Sequence, residues 1–459
     1  MLSTAIEKRI KRQVIGKPHR FLAITPLGFE QTLVHELQGF GLEFTDSESA
    51  PRIAGDGKVE FTAKITESWK AVAYSRIANR VQMHIADFKA ENFRDLEKKA
   101  AEIPWELYLS DERTGYALQT RDERSISSNS LRIHVTCKHS RLYHSDAIAE
   151  RLEKTIGGSL PLAPAMSSAT PSAGVPRNAP QNLYVTLVDD RCTIWLDLSG
   201  EELYKRGHER FVNDAPLKET IAAAMIFESS HGLPSTSYCL LDLMAGSGTF
   251  SLEAAYTANG LIPGKCRDFA LKHQPAFKPA TWNHIINSDF RIQNSELKRI
   301  VTSDISEHAV KIIEHNVECS PLAGIEPAPV SPELHDFFDY TAQEIADACQ
   351  ASDHSGEASP VIVLNPPYGK RLDFDAPKLY TQIGKKLAEL SRDLAPLGKQ
   401  LTIAILAPKD DNRPGSAYTC TANLLRECPG LSPDHNPAAK CIATSHGGFS
   451  LNVFIAKIE

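Results

Sequence analysis

Short apolar runs alternate with segments of helical spacing through the second half of the chain. The apolar runs predict strands at residues 238–243, 300–305, 361–364 and 401–407. The segments beside them predict helices at residues 217–227, 250–258, 307–318 and 378–394. Because strand and helix alternate, the pattern predicts right-handed crossovers and a mostly parallel, doubly wound α/β sheet.

Three segments depart from this alternation. Residues 440–445 and 449–458 are apolar and flank His446-Gly447-Gly448, which predicts an antiparallel hairpin that closes the sheet. Residues 260–285 lengthen the first crossover beyond its minimal size and predict an excursion from the sheet. Residues 320–335 are rich in proline and predict no regular strand.

The first half reads as a smaller α+β arrangement. Residues 18–62 predict strand, helix and strand, and residues 66–110 predict a largely helical segment on one apolar stripe: Trp69, Val72, Ala73, Ile77 and Val81. Further along, the pattern predicts a strand at 131–137, a helix at 146–156, a flexible proline-rich linker at 160–181 and a hairpin at 182–199 that turns at Asp189-Asp190.

Charge is unevenly distributed along the 459 residues, whose formal net charge is -7. Residues 1–210 carry 29 Lys and Arg against 28 Asp and Glu, whereas residues 211–459 carry 21 against 29. A polyanion would therefore be bound by the N-terminal half. The first twenty residues hold six of these cations, Lys8, Arg9, Lys11, Arg12, Lys17 and Arg20, for which a solvated helix face is the competing explanation.

Cysteine usage and the chain start bear on metal binding and location. No two of the nine cysteines form a C-x-x-C pair, so no structural metal site is expected. The charged start is not followed by an apolar run, and no apolar stretch is long enough to span a membrane. We expect reduced thiols and a cytoplasmic protein.

Two polar motifs follow the first two strands of the second half. Asp242-Leu-Met-Ala-Gly-Ser-Gly-Thr249 is a glycine-rich bend into a helix, which lets a ligand approach the backbone and the free N–H groups. Its Asp242 would repel a pyrophosphate and attract an ammonium group. Asp304 ends the next strand, where its carboxylate can accept hydrogen bonds from a ribose diol. A helix cap is the alternative, although Ser306 would serve that role equally well.

The sharpest chemical signal is Asn365-Pro366-Pro367-Tyr368, directly after strand 361–364. The prolines fix the backbone as it leaves the sheet. The Asn365 side-chain carbonyl and the Pro366 backbone carbonyl can accept the two N–H bonds of one planar amine, while Tyr368 offers a face for a stacked base. A proline-rich turn with a core tyrosine is the alternative. Because ligands of open α/β sheets bind beyond the strand carboxyl ends, the sequence favours a binding site.

Together, DLMAGSGTF, SDIS and NPPYG resemble an S-adenosylmethionine-dependent class I amino-group methyltransferase. FLAITPLGFEQTLVHELQGFG is similar to the ferredoxin-like segment, and LRIHVTCKHSRLYHSDAIAERL to the THUMP domain, of RNA methyltransferases. With LYKRGHERFVNDAPLKETIAAA, FALKHQPAFKPATW and NPPYGKRL, the resemblance to the bacterial 23S rRNA guanine-N2 methyltransferase (RlmL-like) family covers nearly the whole chain in order. It implies a ferredoxin-like segment at 1–65, a THUMP RNA-binding domain at 66–200 and a Rossmann-like methyltransferase domain at 201–459.

The resemblance also implies a reaction: methyl transfer from S-adenosylmethionine to the N2 amine of a guanine in structured RNA, ribosomal RNA ahead of transfer RNA. No DNA or membrane partner is expected. The implied catalytic residues are Asn365, Pro366, Pro367 and Tyr368. The implied cofactor-binding residues are Asp242, Ala245, Gly246, Ser247, Gly248, Thr249, Asp304, Asp336 and Asn365. The candidate RNA-binding residues are the basic segment 7–12 and Arg132, Lys138, His139 and Arg141.

Three other functions stay open on sequence alone. A tRNA guanine-N2 methyltransferase would share the same domains. A DNA amino-methyltransferase would share the catalytic turn but not the THUMP-like half. A ribosome-assembly factor without activity would share the fold, although the glycine turn, Asp304 and the Asn-Pro-Pro-Tyr motif are all intact.

Overall fold

The computed structural model describes two seven-stranded sheets, one in each half of the chain. The described residues are 4–44, 46–110, 131–159, 181–212, 216–230, 237–288, 297–350, 358–368, 375–411 and 419–458. The proline-rich segment at 160–181, predicted to be a linker, lies outside them except for its last residue. None of the described helices is long and apolar enough to cross a membrane.

The first sheet and its helices occupy residues 4–197. The elements are α1 Thr4–Ile10, β1 Pro18–Ile24, α2 Glu30–Gly39, β2 Arg52–Gly55, β3 Lys58–Lys64, α3 Ile65–Tyr74, β4 Arg80–Lys89, α4 Phe93–Ala101, β5 Leu131–Lys138, α5 Ser145–Ser159, β6 Gln181–Val188 and β7 Arg191–Asp197. The strand order is β2-β3-β1-β4-β7-β6-β5, and only β5 and β6 run parallel.

The elements from β1 to β4 form a complete β-α-β-β-α-β unit, the ferredoxin-like arrangement. This unit runs past residue 65, the boundary suggested by the sequence, because α3 and β4 complete it. The prediction of a largely helical segment over 66–110 is wrong at β4. Ile77 and Val81 continue the apolar spacing of α3, but the chain leaves the helix after Tyr74, and β4 pairs with both β1 and β7. The two halves of the first sheet are therefore continuous.

The hairpin prediction for 182–199 is confirmed. β6 and β7 are antiparallel, and Asp189 and Asp190 connect them with φ angles of 50° and 61°. Aspartate tolerates this left-handed region better than most residues, and two such residues build the turn that matches the twist of a hairpin.

The second sheet occupies residues 219–458. Its elements are α6 Glu219–Ser230, β8 Tyr238–Asp242, α7 Thr249–Ala258, α8 Pro279–Asn287, β9 Leu297–Asp304, α9 Glu307–Glu318, β10 Pro332–Leu334, α10 Ala342–Ala348, β11 Ser359–Leu364, α11 Ala376–Leu394, β12 Leu401–Pro408, α12 Cys420–Glu427, β13 Lys440–His446 and β14 Phe449–Ile458. The order is β10-β9-β8-β11-β12-β14-β13.

The first five strands of this order are parallel, and β14 and β13 close the sheet as an antiparallel pair. This arrangement confirms the predicted class I methyltransferase sheet and its terminal hairpin. Helices cover both faces, so β8 and β12 are buried along their whole length. The three-residue strand β10 is an addition to the sequence prediction, because proline-rich residues left no readable strand pattern there.

The predicted excursion from the sheet packs against the N-terminal unit. Within it, Phe277 lies against Trp69 of α3, with ring centroids 5.6 Å apart. The hydroxyl of Tyr74 donates to the carbonyl of Ile285 on α8 at 2.7 Å. One apolar core extends across both halves, so the first sheet is attached to the second by buried contacts.

Candidate active site

A cavity of about 540 Å³ opens at the carboxyl ends of β8, β9, β10 and β11. It is lined by residues from every motif that the sequence analysis placed at a strand end. Ten of the predicted site residues line it: Ala245, Gly246, Ser247, Thr249, Asp304, Asp336, Asn365, Pro366, Pro367 and Tyr368. Asp242 and Gly248 belong to the same turn but are not part of the lining.

The glycine turn is held against β9 by backbone contacts. Gly246 and Gly248 have φ angles of 57° and 76°, which glycine adopts without strain. A Cβ added at Gly248 would lie 3.0 Å from the Ile313 side chain, so this residue also allows α9 to approach closely. The amide of Gly246 donates to Asp304 Oδ2 at 2.8 Å and fixes the turn beside the carboxylate.

Asp304 stands on the cavity wall with both carboxylate oxygens in use. Oδ2 accepts from Gly246, and Oδ1 accepts from the amide of Ser306 at 2.9 Å. The hydroxyl of Ser306 caps α9 by accepting from the amide of Ala309. Asp304 is therefore not the cap, and its carboxylate is oriented by two backbone donors at the edge of the cavity.

Asp242 lies beneath the turn and does not line the cavity, and its contact with a cofactor stays a prediction. It is 1% exposed, and its Oδ2 accepts from the amide and the hydroxyl of Ser251 at 3.1 and 2.7 Å. Burial raises the pKa of Asp242 to about 7, against the lowering effect of these two hydrogen bonds. Its position indicates that it holds the first turn of α7 to the end of β8.

Replacing Asp242 by Asn should change how stability depends on pH. Above about pH 4 the unfolded chain loses a proton that folded Asp242 keeps until about pH 7, so wild-type stability falls as the pH rises through this window. The side-chain amide of the Asp242→Asn variant does not titrate, so this variant should lack about 4 kcal/mol of the decline in stability that the wild type shows. Urea unfolding from pH 3 to pH 8, which spans the whole window, measures the difference. Asp56→Asn, in an exposed turn, should follow the wild type.

Asp336 reaches the cavity from the short turn after β10. Its Oδ1 accepts from the amide of Phe338 at 3.0 Å, and the backbone N–H of its neighbour His335 donates to the Asp304 carbonyl at 3.1 Å. The His335 ring lies against Tyr340 with centroids 4.2 Å apart. The histidine at this position is thus accommodated outside the cavity, and Asp336 remains in the lining.

The Asn-Pro-Pro-Tyr motif forms the opposite wall. Asn365 Oδ1 is buried and has no hydrogen-bond partner among the described residues, although the residue lines the cavity. Pro366 is buried and Pro367 is exposed. The ring of Tyr368 meets Phe449 of the terminal hairpin edge to face, with centroids 5.8 Å apart. Asn365 therefore lines the cavity with a buried side-chain carbonyl that no described residue pairs with, beside an aromatic ring that contacts a second one.

Sequence reasoning missed several residues of this site. Ile305 is 70% exposed and lines the cavity directly after Asp304. Pro216 and Leu217 line it from the segment that enters the second half of the chain. For Ile305 the sequence did carry a signal, because an apolar residue directly follows the aspartate that ends the strand. Pro216 and Phe449 reach the site only through the tertiary fold.

Arg210 was also missed, and it lies behind the glycine turn. Its guanidinium forms an ion pair with Glu219 and donates to the hydroxyls of Ser247 and Thr249, the second at 2.5 Å. Ser247 and Thr249 both line the cavity. Arg210 therefore positions two polar groups of the cavity wall.

The candidate RNA-binding residues lie on the other sheet, away from the cavity. Arg132 and Lys138 are exposed on β5, and His139 follows them in a turn with φ 53°. Arg141 forms ion pairs with Glu91 and Asp190, which partly neutralise it. The basic segment 7–12 spans α1 and the π-helical turn that follows, and Arg9 there pairs with Glu106.

Comparisons with known proteins agree with this fold and cavity, which together define a class I methyltransferase. Residues 206–402 match the family described as RMKL-like, methyltransferase domain, and residues 20–82 match the RlmL ferredoxin-like domain. These two matches confirm the resemblance to RlmL-like methyltransferases that the sequence showed. The THUMP assignment of residues 66–200 stays a prediction.

Two curated relatives carry the name ribosomal RNA large subunit methyltransferase K/L. That of Allochromatium vinosum is 29% identical over 381 residues, covering 81% of this chain and 46% of the relative. That of Aliivibrio fischeri strain MJ11 is 28% identical over 376 residues, covering 81% and 47%. The chain thus spans about half the length of the curated relatives it matches.

Solved structures show the same fold over almost the whole chain. SMU.472, solved in complex with SAH, has a TM-score of 0.68 at 21% identity and covers 96% of this chain and 99% of its own. TrmN from Thermus thermophilus has a TM-score of 0.55 at 15% identity, with coverages of 96% and 100%. Both sheets are therefore shared with known proteins.

Proposed function

We propose that this protein transfers a methyl group from S-adenosylmethionine to the exocyclic N2 amine of a guanine in RNA, with large-subunit ribosomal RNA as the substrate. The observation that carries the proposal is that Asn365 lines the cavity while its buried Oδ1 has no hydrogen-bond partner among the described residues. A buried acceptor without a partner costs free energy, so its presence at a cavity fits a donor supplied by a substrate.

The cavity fits the cofactor at three places. The open glycine turn allows close approach to the backbone, since a Cβ added at Gly246 would meet nothing within 4 Å. The carboxylate of Asp304, fixed by two backbone donors, can accept from a ribose diol, and the exposed Ile305 side chain offers an apolar surface beside it. When bound, S-adenosylmethionine supplies an electrophilic methyl group on a sulfonium.

The catalytic turn orients the amine that receives the methyl group. Asn365 Oδ1 and the Pro366 carbonyl accept its two N–H bonds, which draws the nitrogen towards tetrahedral geometry and directs its lone pair. Tyr368, braced by Phe449, stacks on the base. Positioning of this kind can supply about 7–11 kcal/mol of the barrier, so the mechanism needs no strong base. The nitrogen gains the methyl group as the bond from sulfur to methyl breaks, and the cationic methylated nitrogen then releases its extra proton to water. The two lining aspartates, Asp304 and Asp336, serve other contacts.

A guanine inside a duplex cannot enter this cavity, so the target base is single-stranded or flipped out. The names of the curated relatives favour large-subunit ribosomal RNA, and the order of domains favours RNA over DNA. We assign RNA capture to the THUMP-like region, with Arg132 and Lys138 as contacts, and we place the protein in the cytoplasm.

The direct test is methyl transfer by the purified chain to RNA from cells that lack its gene. We expect N2-methylguanosine in large-subunit ribosomal RNA by mass spectrometry of its nucleosides, with tRNA and DNA unmodified. Modification of tRNA alone would reassign the substrate. Modification of an adenine or of DNA would overturn the guanine assignment.

Asp304→Ala should weaken S-adenosylmethionine binding by about tenfold or more, since a hydrogen bond to a charged group contributes about 1.5–3 kcal/mol. Titration calorimetry measures the dissociation constant. The matched control is Asp339→Ala, an exposed aspartate of the neighbouring turn that does not line the cavity. Equal affinities for both variants would remove Asp304 from the cofactor site.

A further inference from the structure

The edge strand β5 carries an exposed ring on the face of the first sheet opposite its helices. Residues alternate along this strand, and Ile133 and Val135 pack against the core under α4 and α5. Arg132, His134 and Lys138 are exposed on the other face. An exposed ring on a sheet surface is the feature with which some RNA-binding sheets stack unpaired bases.

The ring of His134 is held in a defined orientation. It stacks on Tyr184 of β6 with centroids 4.7 Å apart and planes 15° from parallel. Its Nε2–H donates to Asn182 Oδ1 at 3.3 Å, and Asn182 in turn donates to Asp197 Oδ2 at 3.1 Å. Because these contacts already fix the ring, His134 loses little conformational freedom when a base stacks on it.

Arg80 supports the same stack from inside the sheet. It forms a 2.6 Å ion pair with the buried Asp197, and its guanidinium lies 5.2 Å from the centre of the Tyr184 ring. Because the strand order is β4-β7-β6-β5, Arg80 and His134 approach Tyr184 from opposite sides. The stack of Arg80, Tyr184 and His134 therefore ends at the exposed ring on the sheet edge.

The charges beside this ring are positive. Arg132 and Lys138 share its face, about 6.6 Å and about 13 Å from His134 along the strand at about 3.3 Å per residue. Neither cation forms an ion pair with any part of the chain that the structure describes, and β5 contains no acidic residue. A ring flanked by two available cations is complementary to a base and its neighbouring phosphates.

We propose that β5 binds a single-stranded segment of the RNA substrate, with one base stacked on His134 and phosphates contacted by Arg132 and Lys138. This inference rests on the proposed function. It assigns to His134 the binding of an unpaired base at a distance from the catalytic cavity. A duplex does not fit this surface, because its bases are already stacked within the helix.

The test is fluorescence anisotropy of the full chain with a fluorescein-labelled 12-nucleotide oligoadenylate and with an RNA duplex. His134→Ala should weaken binding of the single strand by about tenfold, whereas His134→Phe, which keeps a ring, should stay within about threefold of the wild type. Asn287→Ala, an exposed change on α8 outside this surface, is the control and should not change binding. Lys138→Ala should lower the salt dependence of binding by about 0.7 in log-log slope.

Several outcomes would overturn the inference: no binding by the wild type, equal binding by His134→Ala, or a loss in His134→Phe as large as in His134→Ala. Methyl transfer to ribosomal RNA is measured separately. Oligonucleotide binding that depends on His134 without methyl transfer would refute the proposed function and leave the inference standing. Methyl transfer with binding indifferent to His134 would refute the inference alone.

Discussion

Asn365→Ala should lower the single-turnover rate of methyl transfer by at least about 100-fold while S-adenosylmethionine affinity stays within a few-fold. The rate falls because the amine loses one of its two acceptors, and loss of a single oriented catalytic contact typically costs about 10²–10³ in rate. The cofactor affinity is retained because the glycine turn and Asp304 are held by backbone contacts that do not involve Asn365. Quench-flow with labelled cofactor and calorimetry measure the two quantities.

Asn287→Ala is the matched control, because this exposed asparagine donates, among the described residues, only to the Asn283 carbonyl of its own helix. It should leave the rate and the affinity unchanged. An Asn365→Ala enzyme with the wild-type rate would refute the assigned role of the side-chain carbonyl. A variant that lost cofactor binding and rate together would instead place Asn365 in the cofactor site.

Local sequence predicted the second sheet well, because its strands and helices carry their own signals. β11 and β12 are buried apolar runs, and α11 is capped by the Asp375 side chain with a proline in its first turn. The site followed from the same signals. Asp304 and Asn365 lie where strands end, and parallel strands bring their carboxyl ends to one edge.

The features that the sequence did not predict share one physical cause, which is contact between distant parts of the chain. β4 forms a strand because β1 and β7 pair with it on both sides, although the apolar spacing of α3 continues into it. Asp242 has the same residue type and a similar position to Asp304, yet α7 covers it and leaves it outside the cavity. The spacing of apolar residues along one segment does not show whether another element will pair with that segment or bury it.

One contact between the two halves of the chain is made by a buried carboxylate, which sequence reasoning did not single out. Glu253 of α7 is 1% exposed and accepts two hydrogen bonds from Arg206, at 2.9 and 3.0 Å, and a third from Arg76 at 3.4 Å. Arg76 follows α3 of the ferredoxin-like unit, and its amide donates to the buried Glu36. Burial alone would raise the pKa of Glu253, but the two guanidiniums outweigh it and lower that pKa.

Glu253→Ala should destabilise the protein by about 3–5 kcal/mol, because it leaves the guanidiniums of Arg76 and Arg206 buried without their carboxylate. Urea unfolding followed by tryptophan fluorescence measures this, since Trp69 and Trp282 lie near the contact between the two halves. Glu150→Ala removes an exposed ion pair with Lys154 and should leave the urea midpoint unchanged.

The position of Glu253 gives this prediction a consequence for function. α7 begins at the glycine turn of the cavity, so the same helix contacts the ferredoxin-like unit through Glu253 and lines the cofactor site through Thr249. Weakening the ion network should therefore lower S-adenosylmethionine affinity together with stability. A Glu253→Ala variant with wild-type stability would show that the buried network contributes nothing to holding the two halves together. A variant that was destabilised but bound the cofactor normally would confine the network to a structural role.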